Sequence, residues 1–358
     1  MKEKIHIGIL GGGGILGAHA PAYMKLQEKC TVVMVAEQNP MRDEAIKSML
    51  GNEITIVRDY QDVIASDDVD AVDIILPHNL HAPATIASAE SGKHIIVEKV
   101  MARNIWECDR MIEACDKAGV SLTVCHDRRY HGEWMALKEI IDSGVLGDIF
   151  FWKLDHNQDV SFPKDHWART RDGIGGGAII SCLVHQIDAL RWYGGEIDSV
   201  TAMTKVIPER MEGEFLGVII AKMLSGAIAE LSINWWTQSH RGENCLWYEM
   251  VQVCGTKGEA YNMSGRGTFI KLHDGASENA IGLYGKDSLQ NFVKVKSGSW
   301  TGHERCISEW IKSLRGEDSC ITTTGRDSRK TVEIAEAAYR SAESGKVVKL
   351  PIEPREWI

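Results

Sequence analysis

The sequence predicts an α/β part followed by an α+β part: a doubly wound parallel sheet first, then a larger, mainly antiparallel open sheet. Three observations point there. Short runs rich in Val and Ile alternate with helical stretches up to residue 126. Beyond that point the apolar runs are joined by connections too short for a crossover helix. Ten of the eleven tryptophans also lie after residue 126, so the two parts differ in composition. A chain of 358 residues suits two domains at about 150 residues each. The expected division is 1–126 and 127–358, with the C-terminal helices able to pack back on the first domain.

In the first part the expected strands are Ile5–Leu10, Thr31–Ala36, Ile54–Val57, Val72–Leu76, His94–Val97 and Ser121–Val124. They mostly lack polar alternation, as strands covered on both faces do. Ile105, Cys108, Ile112 and Cys115 recur at helical spacing, and Gly119 closes that helix. Repeated strand–helix–strand units imply right-handed crossovers. In the second part a helix around Trp134, Leu137, Ile140 and Ile141 leads into a strand from Ile149. A Gly-rich helix follows, then strands near 198–206, 216–223, 227–234, 248–254, 258–263 and 268–273. Two late helices carry Ile307, Trp310, Ile311 and Leu314, and Val332, Ala335, Ala338 and Tyr339, on single faces.

Composition excludes several classes. Net charge is −10, with 25% charged and 44% hydrophobic residues and no basic stripe, which argues against a nucleic-acid partner. No apolar run approaches the roughly 20 residues that span a bilayer, so no membrane partner is expected. MKEKIHIGIL enters a strand without a signal-peptide pattern. Nine cysteines with no C-x-x-C pair suggest reduced thiols and a cytoplasmic location.

The first strand runs into Gly11-Gly12-Gly13-Gly14-Ile15-Leu16-Gly17. A glycine turn between a strand and a helix lets backbone amides approach a pyrophosphate favoured by the helix N-terminus. Two registers fit. One uses Gly11 and Gly13 with Leu16 third; the other uses Gly12, Gly14 and Gly17. Glu37 ends the second strand, where a carboxylate accepts hydrogen bonds from the adenosine ribose. It also repels a 2′-phosphate, so NAD is expected over NADP. Arg42, the nearest basic residue, is expected on the following helix.

Three further stretches, IILPHNLHAP, HIIVEKV and GGGAIISCLVHQIDALRW, together with the glycine loop, resemble the Gfo/Idh/MocA family. The resemblance covers essentially the whole chain, including the closing TTGRDSRKTVEIAEAAYRSAESGKVVKLP. It implies an N-terminal Rossmann dinucleotide-binding domain, a C-terminal domain on a large open sheet, and a homo-oligomer joined through that sheet. It also implies oxidation or reduction of a secondary alcohol of a carbohydrate. Glu98-Lys99 matches the family's E-K-P motif, with Lys99 the catalytic lysine and Val100 in place of proline. Pro77, Asn79 and His81 match the segment lining the nicotinamide half of the cofactor. His185 matches the catalytic histidine of a D-x-x-x-H pattern whose aspartate is replaced by Ser181. Asp127-Arg128-Arg129-Tyr130 resembles the family's N-R-R-F stretch.

Such chemistry suits those residue types. Removing a hydroxyl proton as the C–H bond breaks calls for a base that titrates near neutrality, and histidine is that side chain. An ammonium beside the oxygen stabilises developing alkoxide charge. The two residues belong to different domains, so the cleft between them is the expected reaction site. At helical spacing Ser181, His185 and Asp188 share a face, and either Ser181 or Asp188 could support the histidine. Trp167, Arg169 and His156 are further substrate-binding candidates, the tryptophan stacking on sugar CH surfaces and the arginine donating to hydroxyls. Trp235, Trp236 and Trp247 either extend that platform or cover a sheet face or subunit interface. The histidines at 78, 81, 126, 131, 156 and 166 lack metal-site spacing, so no metal is expected. The leading expectation is an NAD-dependent sugar, polyol or glycoside dehydrogenase. The alternatives are a lyase or glycosidase that retains NAD and oxidises its sugar transiently, and a non-catalytic NAD-binding regulator.

Overall fold

The computed structural model describes residues 4–237 and 249–356. The chain divides into two compact units, one of Met1–Asp127, Thr301–Val332 and Pro354–Ile358, the other of Arg128–Trp300 and Glu333–Glu353. The segment after residue 300 is thus shared between both units.

The first unit opens with strands and helices in alternation: β1 (Ile5–Leu10), α1 (Leu16–Lys25), β2 (Cys30–Ala36), α2 (Asp43–Leu50), β3 (Thr55–Val57) and α3 (Tyr60–Ala65). It continues with β4 (Ala71–Ile74), α4 (His78–Glu90), β5 (His94–Glu98), α5 (Ile105–Ala118) and β6 (Leu122–Cys125). All six strands lie parallel in the order β3-β2-β1-β4-β5-β6. Every strand falls within two residues of its expected bounds, because the Val/Ile runs that mark it are buried on both faces. Ile7, Ile9, Val72, Ile74, Ile95, Ile96 and Val97 are fully buried. Gly119 caps α5 with φ of 69°, as the sequence predicts.

In the second unit come α6 (Gly132–Asp142), β7 (Ile149–Asn157), α7 (Arg171–Ile174) and α8 (Val184–Gly194). Strands β8 (Ile197–Val206), β9 (Glu214–Met223), β10 (Ile228–Asn234), β11 (Glu249–Gly255), β12 (Gly258–Met263) and β13 (Gly267–Leu272) follow. Then come α9 (Glu278–Tyr284) and β14 (Val293–Val295), followed by α10 (Gly302–Leu314) of the first unit. The chain ends with α11 (Gly325–Ser344) and β15 (Val348–Lys349). The nine-stranded sheet has the order β14-β13-β12-β11-β7-β10-β9-β8-β15. Only the β7–β10 pairing among the described residues is parallel, so the sheet is mainly antiparallel as expected.

Burial alternates along these strands, leaving one face covered and one open. The covered face of β7 carries Trp152, Leu154 and His156. Tyr193 of α8 stacks on Trp152 at 6.2 Å and on Trp134 of α6 at 6.5 Å, and its hydroxyl donates to Trp134 O at 2.9 Å. A strand and two helices are clamped by three aromatic rings.

The Gly-rich helix is not one continuous α-helix. Residues Ile179–Leu183 form a π-helical turn between α7 and α8. Its wider repeat inserts about one extra residue per turn, so a stripe counted at 3.6 residues does not run from Ser181 through to α8. Arg171–Gly194 is also long and apolar enough to span a bilayer by composition, and 94% of its most apolar window is buried inside the protein.

Candidate active site

At the end of β1, Gly11 has φ of 107° and donates to Ala36 O at 3.0 Å. A Cβ there would stand 2.6 Å from Ile75 O, so only glycine fits. Gly13 and Gly14 have open space where a Cβ would project, and α1 begins after Ile15 with no side-chain cap. Open space at these glycines ahead of an uncapped helix N-terminus fits a diphosphate. Leu16 is fully buried, whereas Gly17 is exposed with open space around it. The register is therefore Gly11, Gly13 and Leu16; the alternative through Gly17 would put its packing glycine in solvent.

Glu37 leaves β2 and turns onto this loop. Its Oε2 accepts from Gly12 N at 3.0 Å and its Oε1 from Asn39 N at 2.7 Å. Each oxygen keeps a further lone pair for a ribose hydroxyl. Arg42 belongs to a short turn ahead of α2 rather than to that helix. Its guanidinium reaches back to Gly12 O at 2.6 Å and Gly13 O at 3.1 Å, satisfying two loop carbonyls. This set of residues fits a dinucleotide.

Pro77 precedes α4 and Asn79 lies in its first turn, both half-buried. His81 is fully buried, with Nδ1 2.8 Å from Val100 O and Nε2 2.8 Å from Leu76 O. Burial pulls its pKa below the ordinary histidine value. Its ring packs between the exits of β4 and β5. Glu98 is buried and Lys99 half-buried, and the Lys99–Val100 peptide bond is cis. Glu98 Oε2 accepts from Lys99 N at 3.1 Å, folding the carboxylate onto the strand end.

Behind that strand end lies a buried ionic cluster. His19 of α1 places Nδ1 2.8 Å from Asp73 Oδ2 and Nε2 3.0 Å from Glu98 Oε1. Tyr23 donates to the same Asp73 oxygen at 2.7 Å. Burial pulls the His19 pKa down, but Asp73 and Glu98 overcome it and hold it well above the usual value. Burial pushes Glu98 up, and hydrogen bonds from His19 and His303 overcome that, keeping it well below the usual range. His303 stands 3.4 Å from Glu98 and 3.6 Å from Asp127, which is itself buried.

In the second unit, His185 and Ser181 are 7% and 9% exposed. Asp188 is held by Arg129 through bonds of 2.8 and 2.7 Å, a buried bidentate pair. Arg128 donates to both oxygens of Glu249, Nε to Oε2 at 2.9 Å and Nη2 to Oε1 at 2.8 Å. His156 Nδ1 lies 3.2 Å from both Glu249 Oε1 and Gln186 Oε1, and its ring stacks on His185 at 6.1 Å. Arg128, His156 and His185 are thus brought together. Arg169 is spent differently, donating to Phe162 O and Glu209 O. Those two bonds tie loop to loop. Trp167 is half-buried beside His166. Trp235 is fully buried, edge-on to Phe162 and Phe215, and forms no sugar platform; Trp247 lies outside the described residues.

Residues 5–126 match the "Oxidoreductase family, NAD-binding Rossmann fold", and residues 134–261 match the "GFO/IDH/MocA C-terminal domain". The chain belongs to the Gfo/Idh/MocA family. It is similar to the myo-inositol 2-dehydrogenase of Thermotoga maritima, 25% identical over 97% of this chain and 98% of that protein. A scyllo-inositol 2-dehydrogenase (NADP(+)) of Bacillus subtilis is 23% identical over 97% of this chain and 96% of its own length. A levoglucosan dehydrogenase solved with NADH and L-sorbose shares the fold, with a TM-score of 0.83 at 22% identity over 98% of this chain and 100% of that one. This Gfo/Idh/MocA member is accordingly a nicotinamide-dinucleotide-dependent dehydrogenase.

The residues of this dehydrogenase that the sequence analysis missed are His19, Asp73, His303 and Glu249. Two had a signal: Asp73 interrupts the apolar run AVDIIL, and His19 interrupts LGAHAPAY. Donor atoms of His19, Glu98, Cys125 and His303 lie within 4.8 Å of one another, a spacing that could hold a metal ion. Both His19 nitrogens already meet carboxylates, so the set forms a self-satisfied ion network. His19→Gln should lower folding stability by about 3–5 kcal/mol, the cost of leaving buried carboxylates without their cation. Because the folded-state pKa of His19 is raised, its stabilisation is full below the unfolded value near 6.5 and is lost as pH rises through the folded value. Urea midpoints of the two proteins measured from pH 6 to 10 should therefore converge at the alkaline end.

Proposed function

We propose that this enzyme transfers hydride between NAD and a secondary alcohol of a sugar, polyol or glycoside, with His185 taking the hydroxyl proton and Lys99 stabilising the alkoxide. The observation that carries the reading is the Glu98–Lys99 pair at the exit of β5, in the same sheet whose β1 exit forms the dinucleotide loop. Open parallel sheets bind ligands at these carboxyl ends. When bound, nicotinamide supplies the hydride acceptor. The chain supplies the rest: Glu98, ionised and fixed by His19, holds the amide of Lys99, and an ammonium so anchored is worth most where alkoxide charge develops. His185, half a turn from the π-helical segment, is of the residue type that can accept a proton near neutral pH. The relatives named as inositol dehydrogenases support a polyhydroxylated substrate.

NAD is favoured over NADP because Glu37 puts a carboxylate at the ribose position, while Arg42 is engaged by loop carbonyls and Arg58 by Asp43. A 2′-phosphate there would meet negative charge without a committed cation. The open face of the large sheet, with Met203, Leu216, Ile220 and Ile228 exposed, is where two copies of the chain would associate.

Lys99→Ala should reduce kcat about 10²–10³-fold in an assay at 340 nm against sugars, inositols and glycosides, with dinucleotide binding retained; near-native turnover removes the lysine from the mechanism. Glu37→Ser should lower kcat/KM for NAD about tenfold through KM and narrow the preference over NADP. Ile220→Asp should convert the oligomer to monomer in light scattering.

A further inference from the structure

Four residues before His185 stands Ser181, a hydroxyl and not a carboxylate. The second unit supplies one elsewhere. Glu249 and His156 are directly opposed across β11 and β7, so their side chains rise on the same, covered face of the sheet. Glu249 is 1% exposed and its carboxylate is fixed from three sides: Arg128 bidentate, Ser264 Oγ at 3.1 Å, and His156 Nδ1 at 3.2 Å. His156 is in turn stacked on His185, with ring planes 12° apart.

We propose that Glu249 is the positioning residue of the proton-transfer site, fixing the tautomer of His156 and placing a negative charge beside the stacked His156–His185 pair, where position 181 offers only a hydroxyl. The inference rests on His185 being the base. Glu249 Oε1 and Gln186 Oε1 both lie 3.2 Å from His156 Nδ1, and an ionised carboxylate only accepts, so Nδ1 carries the proton. His156 Nε2 is then left as the acceptor of the neutral ring. Burial opposes the Glu249 charge, but Arg128, His156 and His185 overcome it and keep it ionised. The other charged groups packed around the pair within this unit are Arg128, the Arg129–Asp188 pair, and Asp155 on the opposite face of β7, bonded to Ser232. Arg129 pairs with Asp188, and Glu249 is in contact with the His156 imidazole.

Two measurements test this. The first is the ring-nitrogen and ring-carbon NMR of His156 in the wild-type protein at pH 8, assigned with His156→Gln; it requires no substrate and no folded variant at Glu249. The Nδ1–H tautomer is expected, and the Nε2–H tautomer overturns the proposal whether or not His185 is the base. The second is the pH profile of kcat/KM for Glu249→Gln and for the double variant Ser181→Asp, Glu249→Gln. Removing the negative charge should move the acid limb about one pH unit lower, since the imidazolium loses its partner, and the second carboxylate should bring it back. A single variant whose limb stays in place, or a double variant that does not return it, overturns the assignment. His185→Ala with full activity would instead sink the base reading while leaving the tautomer result standing.

Discussion

The first unit depends on an imidazole held between two carboxylates in its interior. His19, Asp73 and Glu98 come from α1, β4 and β5, and all three are at most 5% exposed. Taking isolated charges out of water costs several kcal/mol each, so none of them is tolerable without the others. The network therefore fixes three element ends at once. It sets α1 against the sheet, which aims the glycine loop; it anchors β4 next to β1; and through Glu98 it holds the amide of Lys99. His81 stands close by, its two ring nitrogens 2.8 Å from Leu76 O and Val100 O between the exits of β4 and β5. The strand exits that open sheets offer to ligands are, in this chain, set by buried polar residues behind them.

The second unit solves a similar problem with paired charges on a sheet face. Arg128 with Glu249 and Arg129 with Asp188 are successive arginines that reach opposite partners, one on β11 and one on α8. Each pair satisfies a buried carboxylate, and His156, beside Glu249, stacks on His185. The carboxylate beside His156 thus comes from a strand far away in the sequence.

The parallel sheet was legible because both-face burial writes itself as unbroken Val and Ile, and the late helices because Trp310 and Ala338 recur on one face with the right period. The loop register was not, since four successive glycines fit two frames; the positive φ of Gly11 and the burial of Leu16 separate them. Periodicity also failed at 179–183, where a π turn and an α turn write the same apolar pattern. Arg169 and Trp235 look like ligand-binding residue types, yet one bonds loop carbonyls and the other fills a core. Glu249 carried no local signal, because its significance comes from His156 across a strand pairing that spans 93 positions.

The central claim is that the His19 ring is an imidazolium locked between Asp73 and Glu98. Ring-nitrogen NMR of protein carrying labelled histidine, with His19 assigned by substitution and followed at pH 8, tests it most directly. Two protonated nitrogens, unchanged well above the ordinary histidine range, are the expected result. A ring with one bare nitrogen at that pH would contradict it.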